Sequence, residues 1–306
     1  MFTLAAENPV SHVVDVPLVQ VGAGGPFSTL LSMHMVTLAV VGGLLIATMV
    51  SVSRSMQRGQ SADGPGRYVT RGRFAQAIEV ICVYLRDEIV RPQLGDATDR
   101  FIGYLWTVFF FILYSNLLGL VPILDVQHLL GIHMTPVGGT VTSNIAVTFA
   151  LALIAFVIIH VNGVRNLGFM EYIKHYTAGS PAYLWALMIP VEIMGTFIKP
   201  FALTVRLFAN MVAGHTLIAT LLMFTAMGLQ SAGLVLGGAI SVVAVVAALP
   251  LMMLEILVAF IQAFIFMILT TVFIAQLMHH GHHDAEHEAE DRWAGPPGEE
   301  SPAVFG

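Results

Sequence analysis

The sequence is poor in charged residues and in cysteine. Only 10% of its 306 residues are charged and 57% are hydrophobic, whereas an ordinary soluble domain has roughly 25% charged residues. The single cysteine, Cys82, excludes an internal disulfide and any paired-cysteine metal or redox site. The 13 basic residues lie outside any context of stacking aromatics, and the net charge is -6, so a nucleic-acid interface is not expected. This composition predicts a polytopic membrane protein.

Common catalytic and targeting patterns are also absent. The sequence has no P-loop and no evident serine, histidine and aspartate arrangement, and its apolar segments have no zinc spacing. We therefore expect no cofactor, no bound metal and no hydrolysis by this chain alone. No cleaved signal peptide is expected, because the amino terminus lacks a basic segment followed by a compact apolar one.

Five long apolar segments dominate what is present. A helix needs about 20 residues to cross about 30 Å of hydrocarbon. The segments that meet this length lie at 28–52, 101–123, 141–161, 182–226 and 234–278. We predict an all-α polytopic membrane protein with five crossings. Residues 28–278 then form one transmembrane domain, between an outer-side segment, 1–27, and a tail, 279–306.

The last two segments are about twice the length that one crossing requires. Each is either two crossings joined by a tight turn or one long, tilted helix. The link "AMGLQSAGL" between them is short and weakly polar, and polar residues recur every three or four positions through both segments. This spacing favours two long helices, each with a polar stripe.

The basic residues outside the apolar segments are unevenly distributed. Eight arginines lie between the first two segments, whereas the connection at 124–140 has no basic residue. The positive-inside bias therefore places the amino terminus outside, and it places 53–100, 162–181 and the tail in the cytoplasm. Within the first of these regions, residues 74–95 predict an amphipathic helix on the cytoplasmic surface. The tail is rich in histidine and acid and could chelate a divalent ion, but its composition favours a solvated, disordered segment.

Four charged residues lie inside the two long segments, where each charge costs about 2.5 to 3.5 kcal/mol on insertion scales. They are Glu192, Lys199, Arg206 and Glu255. One interpretation is structural: ion pairs that join helices, or side chains that reach the membrane surface. The other is an ion path lined by acids and amides, with one fixed cation. Arginine suits that cation because it stays charged when desolvated, whereas lysine can lose its proton.

The histidines within the spans leave similar alternatives. His215 lies nine residues after Arg206 in the same segment, and either a proton relay or simple packing is consistent with its position. His34 and His160 are interpreted as packed or interfacial side chains.

Two motifs make the chain recognisable. They are "KPFALTVRLFANMVAGH" at 199–215 and "EILVAFIQAFIFMILTTVFI" at 255–274. Together with "SNLLGLVP" at 115–122, "TSNIAVTFALAL" at 142–153 and the amino-terminal "ENPVSHVVD", they resemble the subunit a family of the rotary ATP synthase membrane sector. The resemblance covers essentially the whole chain apart from the tail.

This resemblance implies a stator in a bacterial plasma (inner) membrane, which lies against a rotating ring of c subunits and assembles with peripheral-stalk b subunits. Each c subunit carries one membrane-embedded carboxylate, and the last two helices form a tilted hairpin against the ring. Arg206 matches the family's essential arginine. In that role it draws each arriving carboxylate into its ionised form and stops protons from passing directly between two half-channels.

The resemblance also assigns the other polar residues. Asn210 and Gln262 match positions beside the arginine, and Glu192 and Lys199 match the cytoplasmic side. The positions that match the outer half-channel are Asn116, Asp125, Asn144, His215 and Glu255. Many bacterial members carry a carboxylate where this chain has His215 and a histidine where it has Glu255, so the order of proton transfers between the two stays open.

Two other functions are consistent with parts of the sequence. A stand-alone secondary transporter would bind a substrate at the buried charges, but it predicts inverted repeats, and none is convincing here. A purely structural scaffold would tolerate replacement of Arg206 together with its acidic partner.

Overall fold

Five helices of the described chain are long and apolar enough to cross a membrane, which confirms the predicted all-α polytopic architecture. The structure, a computed structural model, describes residues 17–20, 29–56, 72–120, 141–168, 170, 172, 182–231 and 233–293. The candidate spans are Met33–Ser55, Arg73–Leu120, Ile145–Arg165, Trp185–Ile218 and Val235–Met278.

A short hairpin that the sequence analysis did not predict precedes the first span. Strand β1 (Pro17–Gln20) pairs in the antiparallel sense with strand β2 (Thr29–Ser32). Helix α1 (Met33–Met56) follows β2 directly. The hydroxyl oxygen of Ser32 accepts a hydrogen bond of 3.3 Å from the backbone N–H of Met35, so this serine caps the start of the helix.

The predicted surface helix over 74–95 is helical and leads into the second span. It comprises α2 (Arg73–Tyr84), a π-helical turn (Leu85–Val90) and α3 (Arg91–Leu94), and a short 3-10 turn then connects it to α4 (Thr98–Leu120). The indole N–H of Trp106 donates to the carbonyl oxygen of Cys82 over 3.1 Å and ties α2 to α4. The position of the helical segment 74–95 at the membrane surface stays a prediction.

The third span begins with a capped helix. A 3-10 turn (Val141–Ser143) leads into α5 (Ile145–Leu167). Asn144 is the N-cap, and its side-chain oxygen accepts a hydrogen bond of 3.0 Å from the backbone N–H of Ala146. This bond satisfies one of the backbone donors that the first turn of a helix leaves free.

The last two segments are single, unbroken helices, which confirms the long-helix interpretation and excludes two crossings with a tight turn. Helix α6 (Trp185–Ser231) has 47 residues and α7 (Gly233–Trp293) has 61. At about 1.5 Å per residue their lengths are about 70 and 90 Å, well beyond the thickness of a bilayer. Prolines at 190, 200 and 250 lie inside these helices without ending them.

The carboxyl-terminal tail differs from its prediction. We expected disorder over 279–306, but α7 continues to Trp293. The added part contains "DAEHEAED", and alanine and glutamate are strong helix formers, so an existing helix can extend through it. Residues 294–306 lie outside the described residues.

Hydroxyl groups inside the apolar helices bond to their own backbone. Thr196, Thr204 and Thr270 each donate to the carbonyl oxygen four residues earlier, at 2.8 to 2.9 Å. An unsatisfied hydroxyl in hydrocarbon is costly, and this bond removes that cost without a second helix. These threonines therefore do not by themselves indicate a polar channel.

The helices pack around aromatic side chains of α4. Helices α6 and α7 contact each other extensively, α5 packs on both, and α4 packs on α7 and α1. Phe109 of α4 is fully buried, and its ring makes edge-to-face contacts with Phe110 and Phe260 at centroid distances of 5.1 and 5.7 Å. This ring cluster joins the second span to α7.

We expect Phe109→Ala to destabilise the helix packing by about 2 to 3 kcal/mol. The range for aromatic truncation in soluble cores is about 3 to 5 kcal/mol, and the loss is smaller here because the exposed surface meets lipid rather than water. The measurement is the thermal unfolding midpoint of the purified protein in detergent. Phe74→Ala is the matched control, because that ring is 62% exposed. Equal midpoints for the two variants would contradict the assigned core.

Candidate functional site

Polar side chains meet along the antiparallel contact between α6 and α7. The side-chain amide of Asn210 donates to the side-chain oxygen of Gln262 over 3.0 Å. Gln262 is only 2% exposed. Nearer the end of α6, Gly228 lies against Ile240. The residue numbers rise on α6 as they fall on α7, so the two helices form the predicted hairpin.

Glu255 is held against a glycine of the neighbouring helix. A Cβ atom placed on Gly214 would lie 2.5 Å from Oε1 and 2.8 Å from Cδ of Glu255, closer than real Cβ atoms approach other atoms. An alanine at 214 would therefore force this carboxylate, which is 5% exposed, to shift. The backbone of His215 lies next to Gly214 in α6, and its side chain lies outside the described residues.

Asn116 belongs to a second group of buried polar side chains at the end of α4. It is fully buried, and its side-chain oxygen accepts a hydrogen bond of 2.9 Å from the hydroxyl of Thr142. Its amide nitrogen and the hydroxyl of Ser115 are buried and have no hydrogen-bond partner among the described residues. Buried polar atoms of this kind are usually satisfied by water, so this group indicates a hydrated site.

Asn116 and Glu255 lie at similar depths. The second and fifth spans run in opposite directions, and the rings of Phe109 and Phe260 mark a common level. Asn116 follows Phe109 by seven residues and Glu255 precedes Phe260 by five, which are displacements of about 10 and 8 Å in the same direction. The two polar groups therefore occupy one side of the molecule.

Arg206 is exposed, on the face of α6 that the other described helices leave uncovered. Small exposed residues, Ala202, Ala209 and Ala213, lie one or two turns away on the same helix. Within the described part of the chain, no carboxylate forms an ion pair with the guanidinium, so the structure does not support Arg206 as an internal helix-joining charge. Its surroundings would let a neighbouring helix approach closely.

Glu192 and Lys199 lie together at a cavity between α5, α6 and α7. The ammonium nitrogen of Lys199 lies 4.8 Å from the ring centroid of Phe273 on α7, which is a cation–π contact. Glu192 and Lys199 do not approach within 4.0 Å of each other, so they share the cavity without a direct ion pair. The cavity is also lined by His160.

These groups follow a definite order along α6. Lys199 precedes Arg206 by seven residues, and Gly214 follows it by eight, which correspond to about 10 and 12 Å along the axis. One polar group, around Lys199, therefore lies on one side of Arg206, and the group around Glu255 lies on the other.

No cluster of three potential metal ligands occurs within the described residues.

The structure brings six of the predicted residues into these groups: Asn116, Glu192, Lys199, Asn210, Glu255 and Gln262. Arg206 is exposed between the groups, and Asn144 uses its side chain to cap its own helix. Asp125 and the side chain of His215 lie outside the described residues. The sequence analysis did not identify Thr142 or Gly214, and it interpreted His160 as a packed or interfacial side chain. The glycine directly before His215 was the available signal for a close helix contact, since glycine allows two backbones to approach.

The chain is similar to a protein family and to individual proteins over most of its length. Residues 33–275 match the family described as ATP synthase A chain. ATP synthase subunit a of Myxococcus xanthus is 41% identical over 232 residues, which are 75% of this chain and 69% of that protein. ATP synthase subunit a of Anaeromyxobacter dehalogenans is 44% identical over 234 residues, 74% of this chain and 55% of that protein. ATP synthase subunit a of Chloroherpeton thalassium is 35% identical over 280 residues, 90% of this chain and 73% of that protein. The chain belongs to the ATP synthase A chain family.

Proposed function

We propose that the chain is the stator that carries protons through the membrane sector of an ATP synthase. Membership of the family makes it a multi-pass membrane subunit of that complex. The finer proposal is that two half-channels, one from each side of the membrane, meet near Arg206 and pass protons to and from a rotating ring of c subunits.

The observation that carries this proposal is the position of Arg206 between two polar groups on opposite sides along α6. Glu192 and Lys199 lie on one side, and Gly214 packed against Glu255 marks the other. A continuous channel would let protons cross without doing work. A fixed cation between two separate groups blocks that route, because it repels a proton in transit.

Arg206 requires a partner from another protein. It is exposed, it has no ion pair among the described residues, and it lies in an apolar membrane segment. An arginine there costs about 2.5 to 3.5 kcal/mol on insertion scales unless an anion compensates it. A carboxylate on a c subunit would compensate it, and the exposed alanines around it would let the ring approach. Each carboxylate would be ionised as it passes.

The two polar groups supply the half-channels. The outer half-channel would use Glu255, Asn116 and Gln262, with His215, Asp125 and Asn144 as further candidates. The cytoplasmic half-channel would use Glu192 and Lys199. The buried amide nitrogens of Asn116 and Gln262 and the hydroxyl of Ser115 have no hydrogen-bond partner within the described residues, and this supports a hydrated outer path.

Rotation of the ring would add the small free energies released by several protons, so that together they supply the free energy needed to make one ATP. Each charge that crosses 100 mV yields about 2.3 kcal/mol, so several protons are needed for each ATP. The catalytic sites for ATP would then lie on other subunits, and peripheral-stalk b subunits would hold this chain still. We propose a bacterial inner membrane location, with the amino terminus outside and the carboxyl terminus in the cytoplasm.

We expect Arg206→Ala to reduce ATP-driven acidification of inverted membrane vesicles by about a hundredfold or more, since removal of one fixed electrostatic group at a reacting centre commonly has that effect. The complex should still assemble, because the guanidinium makes no ion pair within the described residues.

Arg165→Ala is the matched control for this experiment, because that arginine lies exposed in the last turn of α5. Assembly and passive proton leak are measured in the same vesicles. Normal pumping by a fully assembled Arg206→Ala complex would show that the charge is only structural and would refute the proposal.

We expect Gly214→Ala to slow proton pumping about tenfold, because the added methyl group must displace the Glu255 carboxylate, and displacement of a positioned acid–base group lowers rates strongly. ATP-driven acidification in assembled complexes is again the measurement.

Gly195→Ala controls for the effect of alanine on helix stability. Gly195 lies in the same helix, and a Cβ atom placed there meets nothing within 4 Å. Equal pumping rates in the two variants would mean that the position of Glu255 does not limit proton flow.

A further inference from the structure

The cavity at Glu192 and Lys199 has the size of a short water chain. Its volume is about 60 Å³. A buried water needs roughly 10 to 15 Å³ measured in this way, so about four waters fit. It is bounded by three helices, and the polar side chains that line it include Glu192, Thr196, Lys199 and His160.

His160 presents two polar atoms that nothing described in the protein satisfies. Both ring nitrogens are buried, and neither has a hydrogen-bond partner within the described residues. The ring is held between aromatic side chains, with centroids 4.0 Å from Phe156 and 6.2 Å from Tyr172. Buried imidazole nitrogens are normally hydrogen-bonded, and His160 lines a cavity that can hold water, which makes cavity water the partner that we infer.

The position of His160 on α5 is not explained by packing alone. Phe156, one turn earlier, stacks on Phe197 of α6 at a centroid distance of 5.7 Å, and this contact already joins the two helices. A phenylalanine or leucine at 160 would fill the same space without two buried nitrogens, each of which costs free energy when it is not hydrogen-bonded.

We propose that His160 is a proton-relay residue of the cytoplasmic half-channel, acting through the water of this cavity between Glu192 and the cytoplasmic surface. The inference rests on the proposed function and adds a residue of a second helix, α5, to a path otherwise formed by α6. It replaces our interpretation of His160 as a packed or interfacial side chain.

The relay conserves every proton. The O–H bond of protonated Glu192 breaks, a cavity water passes that proton on, and a new N–H bond forms at the unprotonated ring nitrogen. The carboxylate and the imidazolium then carry opposite charges. The N–H bond on the other ring nitrogen next breaks and releases its proton to water toward the cytoplasm, which leaves a neutral imidazole. Exchange with cavity water restores the original tautomer, and no electrons are transferred between groups.

Charged and ionisable groups line the cavity beside the ring. On α6, these are the Glu192 carboxylate and the Lys199 ammonium, which carry opposite charges. Tyr172 also faces the ring, and the α7 side chains that line the cavity, Phe273, Gln276 and Leu277, do not ionise. Opposing charges of this kind suit a group that must take up a proton and release it quickly.

The test compares two replacements at 160 in the whole complex. His160→Phe keeps a packed ring, and His160→Gln keeps hydrogen bonding to water, but neither carries a proton. We expect both to slow ATP-driven acidification of inverted vesicles by about tenfold, less than the hundredfold typical of a positioned acid–base group, because cavity water alone can carry part of the flow. Complex assembly and bound ATPase activity are measured in the same vesicles.

Arg206→Ala is measured in parallel so that two failures can be separated. Wild-type pumping by His160→Phe or by His160→Gln, with Arg206→Ala inactive, overturns the relay and leaves the proposed function in place. Normal pumping by Arg206→Ala overturns the proposed function itself.

A third variant decides the question if the larger side chains prevent assembly. His160→Ala leaves space beside Phe156, and added imidazole can enter that space from water. Restoration of pumping by imidazole, with no effect of imidazole on the wild type, supports the relay. Slow pumping that imidazole does not restore contradicts it.

Discussion

The contact between α6 and α7 determines where the other polar groups lie. Two long helices can pack closely only where small side chains face each other, and Gly214 provides such a point. The bond between Asn210 and Gln262 holds the same contact in register, because an unpaired amide in this environment would be costly. This register places Glu255 at a fixed distance along the axis from Arg206. A shift by one helical turn would move the carboxylate by about 5 Å along the axis and away from Gly214.

The same contact leaves the outer face of α6 uncovered. Arg206 and the alanines around it are exposed on that face, while leucines at 203 and 207 of the same helix are buried against neighbouring helices. A charge with no internal partner is destabilising in a membrane unless another molecule compensates it. Arg206 has no ion pair within the part of the chain that the structure describes, and this supports the proposed role of a partner with an opposite charge.

The cavity lined by Glu192 and Lys199 shows how a polar cavity forms between apolar helices. Threonine hydroxyls bond to their own helix and need no water. Glu192, Lys199 and His160 cannot satisfy themselves in this way, because their polar atoms lie farther from the backbone. They instead converge from two helices on one small volume. The proposed half-channel is therefore a consequence of side-chain length as much as of residue type.

The sequence by itself determined the membrane class, the five crossings, the two long helices and the presence of four charged residues inside those helices. These follow from hydrophobic length and from the cost of charge in lipid, which depend on local composition. It did not predict the β1–β2 hairpin, the extension of α7 to Trp293 or the use of Asn144 as a cap, which depend on local backbone hydrogen bonds. Only the tertiary structure decided that Gly214 accommodates Glu255, that Thr142 bonds to Asn116 and that His160 lines the Glu192 cavity. Residues far apart in the chain meet there because of the rotation and register of packed helices, and those are set by side-chain contacts along whole helices rather than by any short stretch of sequence.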